Sequence, residues 1–84
     1  MISAFSGARV VLLTTAGCHL CTDAREALDR VAERTGVAWS EVDVATDQGL
    51  LREYGDRLPV VLLDGREHGY WHVEEDRLVA DLGR

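Results

Sequence analysis

The spacing of apolar positions changes several times along the chain, and each change marks an element. Val10-Val11-Leu12-Leu13 is an unbroken apolar run, the pattern of a strand buried on both faces, with limits of about Arg9 to Thr14. From Leu20 the apolar residues recur at Leu20, Ala24, Ala27, Leu28, Val31 and Ala32, one face of a helix reaching about Arg34. Gly36 is a natural stop for it, and Glu26 and Arg30 are ordered for an i,i+4 pair on its surface. Val37 to Val44 reads as a second strand, and Thr46 as the N-cap of a short helix that carries Leu50, Leu51 and Tyr54 and closes at Gly55. Leu58-Pro59-Val60-Val61-Leu62-Leu63 is a third strand, with its proline at the start, where no ladder hydrogen bond is lost. Asp64-Gly65 signals a two-residue hairpin into a returning strand from Glu67 to Val73. The last helix, Glu74 to Leu82, is acidic in its first turn and apolar at Leu78, Val79 and Leu82.

The order β-α-β-α-β-β-α predicts an α/β fold, a four-stranded mixed sheet with helices on both faces. Residues 1–8 carry little pattern and are expected to be a lead-in; residues 9–84 form a single expected domain. The 84 residues carry a formal charge of −6, and all the cations are arginines. An acidic chain without a basic cluster argues against nucleic acid or an anionic membrane surface as partner. No apolar stretch approaches the roughly 18–20 residues that cross a bilayer. A run from Arg9 through Val10–Leu13 to Ala16-Gly17-Cys18 has the look of a lipoprotein signal, but its apolar part is at the short end of the usual range of about 7–15. Cleavage before Cys18 would also remove the strongest strand, so the chain is read as keeping it.

Two cysteines, Cys18 and Cys21, lie three positions apart between the first strand and the first helix. This places Cys18 at the helix N-cap and Cys21 in its first turn. The N–H groups at a helix start lack partners and carry partial positive charge, which favours a thiolate over a thiol. A C-x-x-C at a strand-to-helix junction is therefore the geometry of a dithiol redox site. Two cysteines in one motif are too few for a disulfide scaffold and point to a reducing compartment, the cytoplasm, with a pair that cycles as a redox-active disulfide. Cys18 is the expected nucleophile and Cys21 the resolving thiol. His19 could hold positive charge beside the Cys18 sulfur. Leu58-Pro59 is the one bond with a realistic chance of being cis.

The run Gly17-Cys18-His19-Leu20-Cys21, then Tyr54-Gly55-Asp56-Arg57-Leu58-Pro59-Val60, then Leu62-Leu63-Asp64-Gly65-Arg66-Glu67-His68-Gly69 resembles the thioredoxin superfamily and, within it, the glutaredoxin-like branch. The resemblance covers about Arg9 to Leu82. It implies a cis-Pro59 lying against the cysteine pair and a substrate contact at Leu58. It implies a further contact at Gly69, in the place of the first of two glycines that hold glutathione in glutaredoxins. Thiol–disulfide exchange on protein or small-molecule disulfides is the implied activity, with no bound cofactor and with a low-molecular-weight thiol or a reductase as electron donor.

The pattern also departs from those relatives. Thr14 and Thr15 stand where glutaredoxins have a basic residue, and Tyr70 and His72 stand where a second glycine and an aspartate would be. Weak use of glutathione is expected from this, with Arg57 and Arg66 as candidate carboxylate partners. Two other classes compete. A thioredoxin-like module can bind without turnover. Cys18, Cys21, His68 and His72 could also form a zinc set, with no other metal ligands in view. Against zinc, 46 residues (22–67) separate Cys21 from His68, where a zinc-finger loop has about 12–15. Both histidines also fall on a predicted strand, where four residues span about 13 Å.

Overall fold

The structure, a computed structural model of the chain, describes residues 8–83. The expected lead-in over residues 1–8 lies outside them except for Ala8, which packs against the core. The elements follow in the predicted order: β1 (Val10–Thr14), α1 (Cys21–Thr35), β2 (Trp39–Asp43), a 3-10 turn (Val44–Thr46), α2 (Gln48–Tyr54), β3 (Val60–Leu63), β4 (Arg66–Tyr70) and α3 (Glu75–Leu82). They form one mixed sheet in the order β2-β1-β3-β4. β1 runs parallel to β2 and antiparallel to β3, and β3 runs antiparallel to β4.

β1 is buried along its whole length because helices cover both faces of the sheet. Val10 and Leu12 face α1 and α3 and pack with Ala24, Leu28, Val31, Val61, Leu78 and Leu82. Val11 and Leu13 face the other way, toward Val44, Val60 and Leu62, with Leu50 and Tyr54 of α2 above them. Period-two alternation thus divides one apolar run between two cores. Each fully buried Leu or Val contributes roughly 1.5–3 kcal/mol relative to exposure. At the hairpin Asp64 and Gly65 both have positive φ, 51° and 83°, as the two-residue turn requires.

Several local expectations shift. α1 begins at Cys21 with Leu20 at its N-cap, so Cys18 lies two residues ahead of the cap rather than on it. α2 is capped by Asp47, whose carboxylate accepts from Gly49 and Leu50 N–H, and not by Thr46. The Thr46 hydroxyl donates instead to the Asp43 carbonyl at 2.7 Å and closes the 3-10 turn. Arg30 reaches across to Glu75 of α3 through two contacts of 3.1 and 2.8 Å rather than pairing by hydrogen bond with Glu26. β2 starts only at Trp39, because the Val37 N–H is bonded to the Thr35 hydroxyl in the turn after Gly36. β4 ends at Tyr70, where Trp71 turns into the left-handed region with φ 67°. A conformation of that kind costs of order 1–3 kcal/mol in a residue other than glycine.

Candidate functional site

The C-terminal end of β1 and the N-terminal end of β3 lie side by side, since Leu13 pairs with Val60. The loop after Thr14 therefore emerges beside the residues that precede β3. Gly17, with φ 78°, makes the turn that brings Cys18 to the start of α1. Cys18 and Cys21 are joined as a disulfide with Cα atoms 5.5 Å apart, inside the usual range of about 4.4–6.8 Å. Their environments differ. Cys21 is 1% exposed on the inner face of α1, while Cys18 is half-buried and opens to solvent.

Cys18 sits in a groove of about 350 Å³ lined by Thr15, His19, Leu20, Gly55, Asp56 and Leu58. Leu20 leaves 36% of its surface exposed at the rim, and His19 is exposed. The Leu58-Pro59 peptide bond is cis, as the resemblance implied, and Pro59 is buried. α1 starts without a side-chain cap. The Ala24 N–H is the one that closes on the Leu20 carbonyl, at 3.1 Å, leaving the amides before it at the redox loop.

Behind the pair lies a polar contact that links three elements. Thr14, buried at the end of β1, donates its hydroxyl to Glu41 Oε2 at 2.9 Å. Arg25, one turn beyond Cys21, donates to both oxygens of Glu41 at 2.8 Å. The Arg25 hydrogen bonds, with help from Thr14, hold the Glu41 carboxyl below the usual carboxylate range.

The remaining sequence candidates are placed as follows. Arg57 follows the groove residue Asp56, but its guanidinium is committed: it donates to both oxygens of Glu67 at 3.1 and 2.9 Å and to the Glu53 carbonyl, and it covers the Tyr54 ring. The Glu67 hydrogen bonds raise its already high pKa further. Gly69 lies on β4 opposite Val61, and a Cβ there would meet Arg77 and Glu74 at 3.9 Å, on the α3 side of the sheet. His68 pairs through Nε2 with Asp81 at 2.8 Å, and its carbonyl accepts from Arg77. His72 lies beyond the end of β4, so the two histidines do not share the predicted strand. Among the described residues no group of three or more His, Cys, Asp or Glu is arranged to hold a metal ion. No helix among them is long and apolar enough to cross a membrane.

Three features were missed in the sequence: the groove residues Thr15, Gly55 and Asp56, the Thr14–Glu41–Arg25 contact, and the turn at Trp71. The Trp71 N–H donates to the Pro59 carbonyl at 2.8 Å, tying the end of β4 to the cis-proline.

A disulfide at the start of the helix that follows a central strand, with a cis-proline leading into the adjacent antiparallel strand, defines a thioredoxin-like protein. A thioredoxin from Halobacterium salinarum superposes with a TM-score of 0.55 at 30% identity, over 89% of this chain and 72% of its own. A solution structure from Nitrosomonas europaea superposes more closely, with a TM-score of 0.76 at 22% identity over 96% of this chain and 98% of its own, and shows the fold alone. Residues 9–83 match the family described as Glutaredoxin-like domain (DUF836), and the chain belongs to that glutaredoxin-like family of the thioredoxin superfamily. A Mycobacterium tuberculosis protein described as uncharacterized is 51% identical over 81 residues, 90% of this chain and 84% of that protein.

Proposed function

We propose that the protein is a dithiol oxidoreductase acting by thiol–disulfide exchange in a reducing compartment. The observation that carries the reading is the asymmetry of the cysteine pair: Cys18 open to a groove, Cys21 buried behind it at the start of α1. In the reduced protein the uncapped amides and dipole of α1 favour the Cys18 thiolate. It attacks one sulfur of a substrate disulfide, forming a Cys18–substrate disulfide and expelling the other half as a thiolate. The Cys21 thiolate then attacks the Cys18 sulfur, forming the Cys18–Cys21 bond and releasing the second half. Two electrons and two protons pass from the protein to the substrate, which leaves as two thiols. A low-molecular-weight thiol or a reductase returns the protein to the dithiol. Leu58, which lines the groove with Cys18, takes the substrate backbone, and exposed His19 forms part of the rim.

Glutathione is a poor donor in this reading. Thr14 and Thr15 supply no cation, Arg57 is held by Glu67, and exposed Tyr70 occupies the place of a second glycine. Each missing charge-assisted hydrogen bond weakens binding by about 1.5–3 kcal/mol, or roughly ten- to a hundredfold. Steady-state reduction of bis(2-hydroxyethyl) disulfide tests both parts. Turnover with dithiothreitol as donor should vanish in Cys18→Ser and be much slower with glutathione. Turnover that survives Cys18→Ser would sink the proposal, and glutathione kinetics equal to dithiothreitol would sink the donor preference.

A further inference from the structure

The Tyr70–Trp71 pair is large, apolar and unspent. Tyr70 is 48% exposed and Trp71 50%, their rings in edge contact with centroids 5.0 Å apart. Topology sets them on the same end of the sheet as the disulfide. Thr14 leads out of that end of β1, Pro59 leads into it at β3, and Tyr70 ends β4 opposite Val60. Two strand spacings, about 10 Å, separate β1 from β4 there. The Trp71 N–H on the Pro59 carbonyl fixes the pair one residue from Leu58, which lines the Cys18 groove. Leu20, Leu58, Tyr70 and Trp71 thus give an interrupted apolar strip with the reactive sulfur near one end. Tyrosine and tryptophan are the side chains most often found as energetic anchors at protein interfaces.

Charge narrows the occupant. Asp56 lines the groove, and Asp23 in the first turn of α1 and Glu74 at the start of α3 are exposed, on a chain of net charge −6. Arg57 is shared between Glu67 and Asp56, so the three side chains leave one net negative charge beside the groove. A cationic partner is therefore drawn to this end and an anionic one repelled.

We infer that Tyr70 and Trp71 dock a basic polypeptide segment that carries the disulfide to be reduced, laying it from the aromatic pair across Pro59 to Cys18. The inference rests on the dithiol reading above and names its substrate class. The segment's disulfide gains the two electrons and two protons of that exchange and leaves as two thiols.

The test compares kcat/KM for three disulfides: a cystine-closed peptide flanked by arginines, the same peptide flanked by glutamates, and bis(2-hydroxyethyl) disulfide. In the wild type at low salt the arginine peptide should be preferred over the glutamate peptide by about tenfold, a gap that narrows as salt screens it. Tyr70→Ser and Trp71→Gly should each lower the ratio of arginine peptide to hydroxyethyl disulfide by about tenfold, mainly through KM. Glycine at 71 keeps the left-handed backbone without strain, so this variant retains the turn. Ratios within twofold of wild type in both variants, or equal use of the two peptides, would overturn the docking proposal while leaving the redox reading intact. A Trp71-dependent dimer in sedimentation equilibrium would assign the surface to a second copy of the chain and overturn it as well. No turnover of any of the three disulfides by the wild type would overturn both readings.

Discussion

The Thr14 hydroxyl bridges the end of the central strand and the ion pair that anchors the start of α1. Thr14→Val removes one neutral-to-charged hydrogen bond, and Glu41 keeps both contacts from Arg25. The expected loss is about 1.5 kcal/mol, the low end for a bond to a charged group because Glu41 is exposed, read from the urea midpoint of the oxidised protein. An unchanged midpoint would show that the bond adds nothing net to water. This contact was hidden in the sequence because Thr14 and Glu41 are 27 positions apart and meet only when β2 pairs with β1. Cys18, Cys21 and Pro59 were legible because their chemistry is local: a fixed spacing at a strand-to-helix junction, and the single proline of the chain. Trp71 carries no local sign of a positive φ. Its turn is closed by the His72 N–H on the Tyr70 carbonyl at 2.8 Å and pinned to the next strand by the Trp71 N–H on the Pro59 carbonyl, a tertiary contact.

Elements were read well where one face is buried and less well at their ends. The cores of α1 and α3 follow the predicted apolar faces except at Leu20, which caps α1 and lies exposed, and β1 and β3 follow the apolar runs. Boundaries moved where two residues could do the same job. Thr46 and Asp47 are both good caps, and the outcome was decided by the 3-10 turn, which uses the Thr46 hydroxyl and leaves Asp47 to cap α2. Asp47→Ala should therefore destabilise the protein by about 1 kcal/mol, since it removes the acceptor for two first-turn amides. α2 carries Leu50 and Tyr54 over the core that contains Val44, Val60 and Leu62, so the loss should appear in global unfolding. If denaturation shows Thr46→Ala to be costly and Asp47→Ala neutral, the cap is misassigned.

Across the whole molecule, arginines stitch the layers together: Arg9 to Asp64, Arg25 to Glu41, Arg30 to Glu75, Arg34 to Asp76 and Arg57 to Glu67. Hydrogen bonds from arginine hold Glu41, Asp64 and Glu75 below the usual carboxylate range. The folded protein thus takes up these protons less readily than the unfolded chain. Their contribution is complete above the ordinary carboxylate values of about 4 and is lost as pH falls through the folded values. The thermal midpoint should hold above about pH 5 and drop progressively below about pH 4; a midpoint that rises on acidification would contradict this. The same folded frame sets Cys18 in a groove and Cys21 behind it, and that asymmetry is tested most directly by trapping. Reduced Cys21→Ser, mixed with bis(2-hydroxyethyl) disulfide and followed by intact mass and peptide mapping, should accumulate one mercaptoethanol adduct on Cys18. Cys18→Ser should stay unmodified over the same interval. An adduct that forms on Cys21 in Cys18→Ser as fast as on Cys18 in Cys21→Ser would contradict the assignment of nucleophile and resolving thiol.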